Sequence, residues 1–130
     1  MKKIIVITLT LALLFCTGCS NKYISLEDYV TSTPEVKEQF NGIGFENADC
    51  VTTVSVKGNI LTYSIQYKNK LSEKEIVKIA PEIETAYKEY DSYFDTMVSD
   101  LELVTEIDTI QIVVSVCNAD GTEIWHTIYK

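Results

Sequence analysis

The chain has 130 residues, 19 acidic side chains against 11 lysines and no arginine, and a net charge of −8. From residue 19 onward the balance is 9 lysines to 19 acids, or −10. That balance excludes nucleic acid as a partner class, because binding a polyanion needs a basic surface that displaces counterions.

The first element is an export signal. Lys2 and Lys3 precede an apolar run from Ile4 to Phe15, followed by small residues, the order of a secretory signal peptide. The run is about 12 residues, roughly 18 Å as a helix, too short for a bilayer core of about 30 Å. Its end, Cys16-Thr17-Gly18-Cys19, resembles the bacterial lipoprotein signal. Phe15 is too bulky to precede a cleavage cysteine, so Cys19 rather than Cys16 is the acceptor. The resemblance implies a diacylglyceryl group on the Cys19 thiol and cleavage after Gly18. Each buried methylene contributes about 0.8 kcal/mol, so two acyl chains hold a small domain firmly. The expected plan is a signal at 1–18, a tether at 19–25 and one α+β domain at 26–130. The expected location is the extracytoplasmic face of the cell membrane, with the membrane contacted through the lipid on Cys19.

Ser25-Leu26-Glu27-Asp28 reads as a capped helix start, and Ser32-Thr33-Pro34-Glu35 as a second one whose helix ends at Asn41-Gly42. Residues 43–49 read as a loop. Cys50 to Lys57 and Ile60 to Lys68 flank Gly58-Asn59, which predicts a hairpin; Leu61, Tyr63, Ile65 and Tyr67 alternate with polar residues and supply its buried face.

Ser72-Glu73-Lys74-Glu75 is a capping box. From it, apolar residues recur every three or four positions from Ile76 to Val104, predicting one long amphipathic helix. Pro81 lies inside the pattern and predicts a kink near Ala80. Thr109 to Cys117 and Glu123 to Lys130 form a second hairpin around Asp120-Gly121. The predicted fold is therefore α+β, in the order helix, hairpin, helix, hairpin, with a four-stranded antiparallel sheet packed on one long helix kinked at Pro81.

With Cys16 removed and Cys19 acylated, Cys50 and Cys117 remain. An even pair outside the cytosol suggests a disulfide. Alternation, however, puts Cys50 in phase with Val54 and Val56 and Cys117 out of phase with Ile112, Val114 and Val116, which directs them to opposite faces and leaves two separate thiols as the alternative. One histidine and two scattered cysteines make a poor metal site, and no metal or cofactor is expected.

The lipoprotein signal, Ser25-Leu26-Glu27-Asp28-Tyr29-Val30, Gly58-Asn59-Ile60-Leu61-Thr62-Tyr63 with Tyr67, and Asn118-Ala119-Asp120-Gly121-Thr122-Glu123 together give the chain its signature. The set resembles an uncharacterised group of small lipoproteins of Firmicutes, notably gut and oral clostridia, that share a domain of unknown function. The resemblance covers nearly the whole chain and transfers no catalytic residue. It implies a Gram-positive envelope, with the protein on the outer leaflet of the single membrane.

His126, the one histidine, lies in strand phase with Ile124 and Ile128, which predicts a core or sheet-face side chain. No serine or cysteine motif accompanies it, and a nucleophile needs a base within reach. Tyr93 lies off the helical stripe, and Trp125 and Tyr129 share the strand face opposite Ile124 and Ile128. Those three are a candidate binding platform, suited to stacking on a sugar or docking an apolar patch, with cover by the first helices or an interface as the alternative. The function expected is a non-enzymatic module that binds an envelope protein, a peptide or a glycan. The alternative is a small envelope hydrolase using His126 and nearby acids.

Overall fold

The computed structural model describes residues 23–41 and 45–130. The predicted signal, Cys16, Cys19 and the start of the tether lie outside them. Helix α1 spans Leu26–Ser32 and opens on the predicted cap, the Asp28 N–H donating to Ser25 Oγ at 3.1 Å. Helix α2, Pro34–Asn41, follows with proline in its first turn. A two-residue strand β1, Phe45–Glu46, precedes β2, Cys50–Lys57, and β3, Ile60–Tyr67. Helices α3, Glu73–Lys88, and α4, Asp91–Thr105, lead into β4, Gln111–Cys117, and β5, Glu123–Tyr129.

Both predicted hairpins form. Gly58 takes φ +59° at one turn and Gly121 φ +86° at the other, a region in which a Cβ is strained. The capping box of α3 is complete, with Glu75 N–H on Ser72 Oγ and Ser72 N–H on Glu75 Oε2 at 2.8 Å.

Two expectations are corrected. The sheet is not a four-stranded antiparallel one: it runs β1-β2-β3-β4-β5, and β3 and β4 lie parallel, Ile60 beside Gln111 through Gln66 beside Cys117. The reason is the connection. Two adjacent strands joined by a helical crossover that returns the chain to its starting end must run the same way. The helical segment is also two helices. Pro81 stays inside α3 without ending it, and the chain breaks at Glu89-Tyr90, where Tyr90 N–H closes a tight turn on the Tyr87 carbonyl at 2.9 Å. The break lets two aromatic contacts form in succession, Tyr87 on Trp125 and Phe94 on Tyr129.

All four helices of the described residues lie on one side of the sheet. Leu26, Val30, Val36 and Phe40 of α1 and α2, and Ile83, Tyr87, Phe94, Met97, Val98 and Leu101 of α3 and α4, share a core with Leu61, Tyr63, Ile112, Val114, Val116 and Tyr129 of the strands. Among the described residues no helix is long and apolar enough to cross a membrane.

Candidate functional site

Among the described residues no helix packs on the other sheet face, and its side chains are fixed by register. Residues directly opposite one another across a sheet share a face. Thr53 of β2 therefore lines up with Ser64, Ser115 and His126, forming one row across four strands. The next row is Ser55, Thr62, Val113 and Ile128. These side chains are half-buried or exposed, in contrast to the buried Leu61, Tyr63, Ile112 and Val114 of the opposite face. The four long strands carry one lysine, Lys57, and one acid, Glu123. The face thus carries hydroxyls across its middle with Val113 and Ile128 in the adjoining row, and its two acids, Glu46 and Glu123, are paired with Lys68 and His126.

His126 sits at the β5 end of the first row. Its Nδ1 lies 2.6 Å from Glu123 Oε1, and both side chains are about half exposed. The Ser115 hydroxyl donates to Glu123 Oε2 at 3.3 Å and lies 3.5 Å from Cys117 Sγ. The serine thus bonds the carboxylate where a triad needs it on the imidazole. The cluster also stands on an open surface, without the water-excluding walls that strengthen electrostatic catalysis. This geometry gives a nucleophilic mechanism no support.

The predicted platform is not a surface, and this is a correction. Trp125 and Tyr129 face the helices: Trp125 is half-buried with its ring 5.0 Å from Tyr87, and Tyr129 is buried with its ring 4.7 Å from Phe94 and its hydroxyl 3.0 Å from Asp91 Oδ1. Tyr93 is exposed on α4 with its ring edge-on to Phe94. The structure does not bring the three together on one open patch. Sequence phase correctly put Ile128 opposite Trp125 and Tyr129 but assigned the sides wrongly, and Ile124, at the register irregularity before Trp125, packs partly against the core. Aromatic rings bury about 150–250 Å² each, more than isoleucine offers, and rings on α3 and α4 are there to receive them. Burial and the Asp91 contact hold the Tyr129 phenol well above its ordinary pKa.

Cys50 and Cys117 are both free and half-buried. Cys50 lies opposite Tyr67, on the helix side, whereas Cys117 lies opposite Gln66, on the open side. With β3 between them they are two strands apart, about 10 Å, beyond the roughly 7 Å that a disulfide spans. Burial pushes the Cys50 thiol up, aided by Asp49. Among the described residues no group of three or more histidines, cysteines or acids could hold a metal ion.

A concavity of about 190 Å³ opens between α1, α2 and β2, with Val30, Phe40, Val54 and Val56 as its floor and Glu27 and Lys37 on its rim. It falls short of the roughly 300 Å³ at which small-molecule sites begin.

The feature that sequence reading missed is the open hydroxyl row. The β2–β3 hairpin pairs Thr53 with Ser64, and the parallel register of β3 and β4 extends the row to Ser115.

A family model described as a domain of unknown function, DUF4854, matches residues 26–129. No curated relative matches the sequence. Among solved structures, the fold is similar to a Pseudomonas aeruginosa protein described as secreted, with 14% identity over 82% of this chain and 94% of that one and a TM-score of 0.53. A pilotin of the Vibrio vulnificus type 2 secretion system is also similar, with 13% identity over 78% of this chain and 86% of that one. Its TM-score is 0.45.

Proposed function

Because this chain belongs to the DUF4854 family, a domain of unknown function, we propose a role from its own residues: it is a lipid-anchored, extracytoplasmic module that binds an envelope protein through its open sheet face and catalyses no reaction. Location rests on the first 19 residues, read as a signal at 1–18 and an acylated Cys19, with residues 19–25 as tether and 26–130 as the domain. The fold neighbour described as secreted is in keeping with that location, although the likeness is one of fold.

The observation that carries the binding role is the uncovered face itself, four strands wide, with Thr53, Ser64, Ser115 and His126 in one row. A protein surface can satisfy such a flat array of hydroxyls and thread its own apolar groups between the isoleucines. Interfaces of this kind are about as apolar as the rest of a protein surface and are poor in charge at their centre. Eleven of the 19 acids, by contrast, lie between residues 73 and 108, on α3, α4 and the segments that follow them, against three lysines. That charge keeps the helix layer solvated and opposes self-association through it.

The test is substitution on the two sides of the molecule in acylated protein recovered from native envelopes. Ser55→Arg and Ser64→Arg are expected to lose the co-purifying partner, and Glu84→Arg on the outer side of α3 to keep it. Partner recovery that is unchanged by both serine variants would contradict the reading.

A further inference from the structure

The exposed isoleucines near the start of the domain gather at one end. Ile24 is 90% exposed and Ile60 is 42% exposed. They border the same turn: Leu26 N–H donates to Asn59 Oδ1 at 3.0 Å, Glu27 N–H to the Gly58 carbonyl at 2.9 Å, and Gly58 N–H to Glu27 Oε2 at 2.8 Å. These bonds clamp the chain just after Ile24 to the turn just before Ile60. Lys57 is exposed beside Ile60 in the β2–β3 pair. The carboxylate of Glu27 accepts from the Gly58 N–H and that of Asp28 from the Ile24 N–H, both in exposed hydrogen bonds.

We propose that this end of the domain rests on the outer surface of the lipid bilayer, with Ile24 and Ile60 at the headgroup boundary. The inference depends on acylation at Cys19, as proposed above. From Cys19 to Ile24 the chain takes five residue steps, at most about 18 Å when fully extended. A lipid on Cys19 therefore keeps Ile24 near the bilayer, and apolar side chains that cannot leave that zone gain by burying themselves at the acyl boundary. Lys57 beside them suits lipid phosphate. The consequence is an orientation. The strands stand away from the membrane, the turn containing Asp120 and Gly121 is outermost, and the open sheet face looks along the membrane plane toward neighbouring proteins.

The experiment uses the full acylated chain in phosphatidylcholine vesicles containing phosphatidylglycerol. A photoreactive amino acid is placed at Ile24 or Ile60, or at two exposed positions of the other end, Lys70 and Val77. Lys70 pairs with Asp120 there, and Val77 is 76% exposed early in α3, so it matches the isoleucines in chemistry while differing in place. Irradiation is expected to give phospholipid adducts from positions 24 and 60 and only background from 70 and 77. Adducts from 70 or 77 as strong as those from 60, or none from 24 and 60 in protein that floats with the vesicles, overturn the orientation while leaving the anchor in place. Failure of the wild-type chain to float, with Cys19→Ser no different from it, overturns the anchor and the orientation with it.

Discussion

The indole of Trp125 lies over the ring of Tyr87, centroids 5.0 Å apart and planes 22° apart. The chain's one tryptophan therefore joins the edge strand β5 to α3 and faces the core rather than a ligand. Trp125→Ala is expected to cost about 2–4 kcal/mol, the loss for a large, partly buried aromatic, measured as a lower urea midpoint. His126→Ala, on the other side of the same strand and paired only with exposed Glu123, is expected to stay within about 0.5 kcal/mol of wild type. Equal effects from the two variants would mean that β5 is turned the other way.

Asn118 is buried and bonds Leu71 from both ends of its amide. Leu71 N–H donates to its Oδ1 at 2.8 Å, and its Nδ2 donates to the Leu71 carbonyl at 3.0 Å. The side chain thus stands in for a strand partner just before α3 begins. Asn118→Ala leaves both backbone groups of Leu71 unpaired in a buried place, at an expected cost of about 2 kcal/mol. Hydrogen exchange at the Leu71 amide reads the loss locally. Protection there equal to wild type would show that the bond carries no weight.

Four tyrosines set the alkaline limit. Burial pushes the phenol of Tyr67 up to about 12 and holds Tyr63, Tyr87 and Tyr129 higher still. In the unfolded chain each titrates near 10. Above about pH 10 the unfolded state releases protons that the folded state keeps, so stability is fully present below that pH and falls above it. The fall is at most about 1.4 kcal/mol per pH unit for each of the buried Tyr63, Tyr87 and Tyr129 between its unfolded and folded pKa, and less for the half-exposed Tyr67, whose charge water screens. Melting temperature is expected to be insensitive to these groups below pH 10 and to drop steeply beyond it. Tyrosinate absorbance of the folded domain rising fully near pH 10 would contradict the burial of these rings.

The thiols give a simple count. Cys50 and Cys117 occupy opposite sheet faces, so the unfolded, unreduced protein carrying a lipid on Cys19 is expected to show two thiols by Ellman titration. No titratable thiol would mean that the strands can be bridged and that the register is wrong.

Local signals in the sequence were read correctly where local chemistry decides the structure. Ser25 and Ser72 cap helices because their hydroxyls reach backbone donors three residues on. Gly58 and Gly121 make turns because they tolerate positive φ. The errors arose where a choice depends on something distant. Alternation in β5 separates Trp125 and Tyr129 from Ile124 and Ile128 without saying which pair meets the helices, and that depends on the rings of Tyr87 and Phe94. Pro81 is a local break signal, yet α3 passes it, and the chain breaks at Tyr90 where packing on β5 changes partner. The parallel pairing of β3 and β4 depends on how α3 and α4 return the chain, which periodicity does not report. For the same reason the hydroxyl row is only half legible in the sequence: the hairpin aligns Thr53 with Ser64, whereas Ser115 joins them through the β3–β4 pairing.

Site-specific photocrosslinking in intact cells tests the central claim, that the open sheet face is the working surface of an anchored module. The photoreactive residue is placed at Ser64, in the middle of the face, and at Glu84, on the outer side of α3, in chains with Cys19 intact. A single discrete protein adduct from position 64, absent from position 84 and lost in Cys19→Ser, is the predicted result. Adducts of the same mass and yield from both positions, or adducts from position 84 alone, would contradict it.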